Sequence, residues 1–227
     1  MKKHTILFLA ANPLGTDRLA LDREAHAIQS ALERSGYRDW FEFVTKWAAE
    51  PLDLLHELRK LKPTVVHFSG HGSQSAAGEH RPNQALRRDI VTDLDFHGGE
   101  QGGLFFQSPD GRAQFVSAEA IEETFGAAGA SVELVVLNAC YSDVQAEALL
   151  AHVACVVGMG GATHDHAARS FAIGFYGGLG ESESVAAAYK QGCAAISLEG
   201  LHDVKRPQLR VRAGVDANHL VLVADPR

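Results

Sequence analysis

Six short runs of almost unbroken apolar residues, many of them β-branched, are spaced along the chain with helix-like stretches between most of them. They are TILFLAA (5–11), WFEFVTKW (40–47), TVVHFSG (64–70), VELVVLNA (132–139), VACVVGM (153–159) and HLVLVA (219–224). A strand that faces water on one side alternates polar with apolar residues; these runs do not. They therefore predict a parallel sheet buried on both faces by helices. The intervening periodicity predicts helices over about 17–35, 51–61, 117–127, 142–151, 166–180 and 184–199. Local signals agree. Pro51 stands where the first helical N–H needs no partner, and Pro63 stops the same helix. Ser117 precedes AEAIEETF, and Ser142-Asp143-Val144-Gln145 has the form of a capping box.

The length, 227 residues with 46% hydrophobic, suits one α/β domain spanning 1–227. A net charge of -7 gives no basic excess for direct nucleic-acid binding, and the bases pair only at Arg87–Arg88 and Lys205–Arg206. No apolar stretch approaches the roughly 18 residues of a membrane span. The start, MKKHTILFLAANPLGTDR, has the basic-then-apolar order of a signal peptide. Its apolar run ends quickly at Asn12-Pro13 and leads into a helical pattern, so a first strand is the better reading. Three cysteines imply no disulfide framework, hence reduced thiols and a cytoplasmic setting. Residues 73–103 interrupt the rhythm with polar, charged and glycine-rich sequence and read as an insertion loop. GGLFFQSPDGRAQFV then reads as a hairpin turning at Pro109-Asp110-Gly111.

In open parallel sheets, reactive groups collect beyond the carboxyl ends of the strands. That rule selects Gly70-His71-Gly72 after one run and Cys140-Tyr141-Ser142 after another. If those strands are neighbours, their ends lie about 5 Å apart, close enough for a thiol to meet its base. Cys140 precedes a helix start, which favours a thiolate, and His71 is the candidate proton acceptor. The backbone N–H groups of Gly72 and Cys140 are candidate oxyanion donors. Cys155, inside an apolar run, and Cys193, inside a helix pattern, read as apolar filler. Metal binding competes for some of these residues: His67 with His71, and His164-Asp165-His166. But histidines four apart share a face on a helix, not on a strand entering a turn. His67 reads instead as a hydrogen-bonded core histidine. Gly70-His71-Gly72 lacks the third glycine and following helix of a dinucleotide fingerprint, and no phosphate loop supports a flavodoxin-like nucleotide site.

HFSGHG followed downstream by VVLNACYS resembles the CHAT domain, a caspase-like cysteine peptidase family related to separase. The likeness continues through VVGMGGATHDHAARSFAIGFYGGL and SVAAAYKQGCAAI, with 73–102 as an enlargement. The resemblance implies a caspase-hemoglobinase-like three-layer α/β sandwich. Its central, mostly parallel six-stranded sheet would have order 2-1-3-4-5-6, counting the runs along the chain, with a last strand that can run antiparallel. It implies a catalytic His71–Cys140 dyad, oxyanion donors at Gly72 and Cys140, and peptide hydrolysis through a thioester, with no metal or organic cofactor. It further implies a protein or peptide substrate, a regulatory partner or sensor domain, and an effector role in bacterial signalling or antiviral defence. Candidate substrate-binding residues are Asn138, two before the cysteine, with Asp165, Asp143 and Tyr141. An acid at position 138 would accompany cleavage after Arg or Lys; Asn138 does not support that preference. Asn12 and Asp17, after the first strand, could line the cleft; a solvated loop is the favoured reading. Phe171, Phe175 and Tyr176 read as core packing. The alternative function is a catalytically silent caspase-like interaction module.

Overall fold

The computed structural model describes residues 3–73 and 102–223. Strands β1 (His4–Ala10), β2 (Phe41–Trp47), β3 (Val65–Ser69), β7 (Leu134–Asn138), β8 (Cys155–Met159) and β9 (Pro207–Val211) form one sheet in the order β2-β1-β3-β7-β8-β9. All neighbours are parallel except β9, which runs antiparallel to β8. In β3, β7 and β8 every residue is buried, which is why those runs show no polar alternation.

Because alternate residues point to opposite faces, each strand feeds two cores. Phe8, Val65, Val136 and Val157 pack with helices α1 (Leu21–Glu33), α5 (Asp165–Gly180) and α6 (Val185–Leu198). Leu9, Val66, Phe68, Val135 and Leu137 pack with α2 (Pro51–Leu61), α3 (Ala118–Ala128) and α4 (Asp143–Leu149). Each fully buried large apolar side chain stabilises the fold by about 1.5–3 kcal/mol relative to exposure. Helices on both faces of a mostly parallel sheet give the expected α/β sandwich.

Helix α2 begins and ends where the prolines indicated. Glu50 and Asp53 add a reciprocal cap at its start, and Lys62 takes a left-handed conformation just before Pro63. Ser117 caps α3 by accepting from the Ala120 N–H. Ser142, expected to cap α4, does not. Its hydroxyl donates to the Leu137 carbonyl (2.8 Å) and accepts from the Met159 N–H (2.9 Å), tying the ends of β7 and β8 together.

The sixth strand is a correction. It is Pro207–Val211, not 219–224. At the sheet edge, PQLRV needs no continuous apolar run, so its sequence is inconspicuous. The apolar 219–223 segment instead packs at the start of α6. There the Leu220 carbonyl accepts from the Val185 N–H, and Leu222 and Val223 are buried.

A second, three-stranded antiparallel sheet, β4-β5-β6, comprises β4 (His71–Ser73), β5 (Gly103–Gln107) and β6 (Ala113–Ser117). The expected hairpin is β5–β6. Its Leu104 and Phe106 join the core beneath α2 and α3. The third strand carries His71, paired with Phe105, while Gly72 pairs with Leu104. Most of the 73–103 insertion lies outside the described residues.

Candidate active site

Strands β3 and β7 are parallel neighbours in register, with Ser69 opposite Asn138. The segments leaving them, 70–72 and 139–141, therefore emerge side by side at the carboxyl edge. Gly70 donates to the Asn138 carbonyl (3.3 Å). Beyond it the chains come so close that a Cβ at Gly72 would stand 2.4 Å from the Cys140 carbonyl oxygen and 3.2 Å from Ala139 Cβ. Only glycine fits against that backbone. His71-Gly72 and Ala139-Cys140 are thus brought together by sheet register, and β5 holds the histidine segment from its other side.

His71 is half-buried, and its Nε2 lies 2.8 Å from the Asp17 carbonyl oxygen. A carbonyl only accepts, so Nε2 carries a proton and, in the neutral ring, Nδ1 holds the lone pair. Asp17 belongs to the loop after β1, which Asn12 folds back by bonding both the N–H and the carbonyl of Leu19. That loop, read as solvated with lining of the cleft as the alternative, reaches the histidine through the Asp17 carbonyl.

Cys140 is half-buried and unpaired. Its Sγ accepts from the Thr163 N–H at 3.4 Å, and the thiol lies 3.9 Å from the Thr163 carbonyl. That N–H supports the sulfur from the neighbouring strand's loop. The donor comes from the loop after β8, with no sequence signal to mark it; the seven-residue α4 was the expected source of that support. Tyr141 turns the chain sharply, with φ 57° in a region bulky residues seldom enter, and its N–H donates to the Gly161 carbonyl (3.2 Å).

The other cysteines have environments that suppress reactivity. Cys155 is buried in the sheet, and burial pushes its thiol up to about 11. Burial also raises the Cys193 thiol. Asp143 sits half-buried in the first turn of α4. Asp165 begins α5, and its Oδ2 accepts from the Ala20 N–H at 3.0 Å, which pins the 12–20 loop to the loop after β8. His164 and His166 diverge to Asp203 (3.2 Å) and Glu199 (3.7 Å) respectively. Among the described residues, no three His, Cys, Asp or Glu side chains gather into a metal-binding group.

Beneath the site lies a buried polar network. His67 is 0% exposed, with Nδ1 3.0 Å from the Tyr176 hydroxyl and Nε2 3.0 Å from Glu24 Oε1. It is the hydrogen-bonded core histidine expected. Tyr176, expected only to pack, also supplies a hydroxyl. Glu24 further accepts from Ser69 Oγ and Asn138 Nδ2, each at 2.5 Å. Burial alone would raise the Glu24 carboxyl, but a hydrogen bond and charge attraction from His67, with hydrogen bonds from Ser69 and Asn138, outweigh it and hold the group below its usual 4.5. Burial pushes the Tyr176 phenol well above its ordinary value. Glu24 is the residue that sequence reasoning missed. The signal was an acid in the buried stripe Leu21, Ala25, Ile28, Leu32 of α1.

An open, mostly parallel sheet carrying a histidine and a cysteine just past adjacent central strands defines a cysteine-peptidase-like fold of the caspase type. The sequence model of the CHAT domain family matches residues 16–199, and the chain belongs to that family. A protein named Roc-COR-CHAT protease, from an unknown prokaryotic organism, is 26% identical over 198 residues. That match covers 84% of this chain but 16% of the relative, so the chain spans a small part of its length. In fold, the chain is similar to a secreted C11 cysteine protease from Bacteroides thetaiotaomicron, solved with an irreversible peptide inhibitor. The TM-score is 0.56 at 9% identity, over 88% of this chain and 60% of that one. Among the described residues no helix is long and apolar enough to cross a membrane.

Proposed function

We propose that this chain is a cysteine endopeptidase that cleaves protein substrates with a His71–Cys140 dyad. The observation that carries the reading is the close approach of Gly72 to the Cys140 carbonyl, which holds the histidine and cysteine segments together at the sheet edge. In the proposed reaction His71 Nδ1 takes the thiol proton, and Sγ attacks the scissile carbonyl. The backbone N–H groups of Gly72 and Cys140 hold the resulting oxyanion. Collapse of that intermediate breaks the C–N bond. The leaving amine takes the proton from His71, and the acyl group stays on Sγ as a thioester. Water, deprotonated by the same imidazole, then attacks the thioester; the C–S bond breaks, the peptide acid leaves, and Sγ takes the proton back from His71.

The proposal extends to a single peptidase domain over 1–227, in a reducing cytoplasm, acting as a regulated effector of bacterial signalling or defence under a partner protein or sensor domain. Its three described cysteines are free thiols, in keeping with such a compartment. A relative in which the matching segment is 16% of the chain is in keeping with control by other parts of an assembly. The test is proteomic mapping of new N-termini made by wild type against Cys140→Ala. Sites unique to wild type are expected; identical maps would defeat the proposal.

A further inference from the structure

The residue after the nucleophile is strained, and both of its backbone polar groups are held. Tyr141 has φ 57°. A bulky residue stays in that region only where its surroundings over-determine it. Its N–H donates to the Gly161 carbonyl at 3.2 Å, in the loop after β8. Its carbonyl faces the side-chain amide of Gln145, also at 3.2 Å.

Gln145 is 0% exposed, and one orientation of its amide satisfies every contact. Carbonyls only accept, so the nitrogen faces the Tyr141 and Ser142 carbonyls, each at 3.2 Å. The oxygen then accepts from the Gly103 N–H at 2.6 Å. A buried polar group with both its hydrogens and its oxygen engaged rigidifies the segments it joins. A side chain serving only to cap α4 would accept from the Ser142 N–H; this one donates to the turn and accepts from β5.

Gly103 opens β5, where it pairs with Ser73 of β4 on one side and Ser117 of β6 on the other. A Cβ there would strike the Phe115 ring and the Val116 carbonyl, so this end of β5 is closely packed. His71 lies two residues before Ser73 on the same β4, opposite Phe105. Gln145 therefore joins the turn that carries Cys140 to the small sheet that carries His71. Other fixings of that turn lead elsewhere. The Tyr141 N–H goes to the loop after β8, and the Ser142 hydroxyl to β7 and β8.

We propose that Gln145 is a positioning residue, which holds the left-handed turn at Tyr141 and so sets Cys140 against His71. The inference rests on the dyad reading above. Gln145 acts through the backbone of Tyr141 and Ser142 on one side and of Gly103 on the other. Its loss frees two carbonyls at once, and Tyr141 then relaxes and carries Sγ away from the imidazole.

The experiment uses the full chain. The readout is the rate of Cys140 alkylation by iodoacetamide at mildly acidic pH, followed by peptide mass spectrometry. The proteins are wild type, Gln145→Met, His71→Ala and the double variant. Methionine keeps the length of the side chain and loses its hydrogen bonds. Gln145→Met is expected to slow alkylation about tenfold, within the roughly hundredfold that about 1 Å of misplacement can cost. In the His71→Ala background the same change should have no further effect, because the two residues act through one interaction. A merely structural role would lower the rate by the same factor in both backgrounds. That result overturns the inference, as does a wild-type rate in Gln145→Met.

Gln145→Glu carries the test if the methionine variant does not fold. A protonated carboxyl still donates to one carbonyl and accepts from Gly103, whereas an ionised one sets a charge against two carbonyl oxygens. Its rate relative to wild type should stay near one at acidic pH and fall as pH rises. A ratio that does not change with pH overturns the inference. Equal alkylation in wild type and His71→Ala brings down the dyad reading and this inference with it. A difference between those two proteins leaves the dyad reading standing, whatever the Gln145 variants do.

Discussion

The two faces of β3 and β7 are built on different principles. Toward α2, α3 and α4 they present Val66, Phe68, Val135 and Leu137, held by burial alone. Toward α1 and α5 the same strands present His67, Ser69 and Asn138, held by hydrogen bonds to Glu24 and Tyr176. The apolar face tolerates exchange of one hydrophobic shape for another, usually for less than about 1.5 kcal/mol. The polar face does not, because each member leaves others buried and unpaired when removed. The polar face also lies directly below His71 and Cys140. The sheet thus places its adaptable packing on one side and its geometrically demanding contacts beneath the site.

The largest effect expected from breaking this arrangement is at Gly72, where the two strand ends touch. Gly72→Ala puts a methyl where the Cys140 carbonyl stands. Labelling of Cys140 by a peptidyl ketone should fall by about a hundredfold or more, the loss that follows about 1 Å misplacement of reacting groups. Circular dichroism should show the fold retained.

Next is the contrast between faces. Glu24→Ala should cost about 3–5 kcal/mol in urea unfolding, as removal of one buried charged partner does, whereas Leu137→Met should cost less than about 1.5 kcal/mol. Equal costs would erase the distinction between the faces. Glu24 also fixes the sign of a pH effect. Its folded value lies below its usual 4.5, so its stabilisation is fully present above that value and is lost as pH falls through the lowered folded value. Glu24→Gln should flatten this acid limb of the stability curve.

The smallest effect is expected at Asp143, half-buried in the first turn of the short α4. Asp143→Asn should change stability by no more than about 1 kcal/mol, the scale of a first-turn charge. A loss much larger than this would give Asp143 a role beyond its own helix.

The elements that chain-local physics dictates were legible in the sequence. Pro51 and Pro63 bounded α2, and unbroken apolar runs marked β1, β3, β7 and β8 because those strands are buried on both faces. Legibility failed where the environment is set by distant residues. β9 is an edge strand, and β4 is three residues that become a strand only by pairing with β5. Ser142-Asp143-Val144-Gln145 looked like a cap, yet the Ser142 hydroxyl bridges β7 and β8. Gln145, fully buried, has its amide nitrogen facing the Tyr141 and Ser142 carbonyls and its oxygen accepting from Gly103. At the site, His71, Gly72 and Cys140 could be picked out from their positions past strand ends. Thr163 and the Asp17 carbonyl could not, because they act through backbone atoms that any residue carries. Asn138 was read alone as a missing charge, since nothing in its own segment points to Glu24 more than a hundred residues earlier.

The central claim is that His71 activates Cys140. The most direct measurement is the rate of Cys140 alkylation by iodoacetamide across mildly acidic to neutral pH, in wild type and in His71→Ala. Cys155, buried with a thiol near 11, is the internal reference. Wild-type Cys140 is expected to react faster than a free cysteine at mildly acidic pH, and His71→Ala to fall to the free-thiol rate or below. Identical profiles in the two proteins would contradict the account.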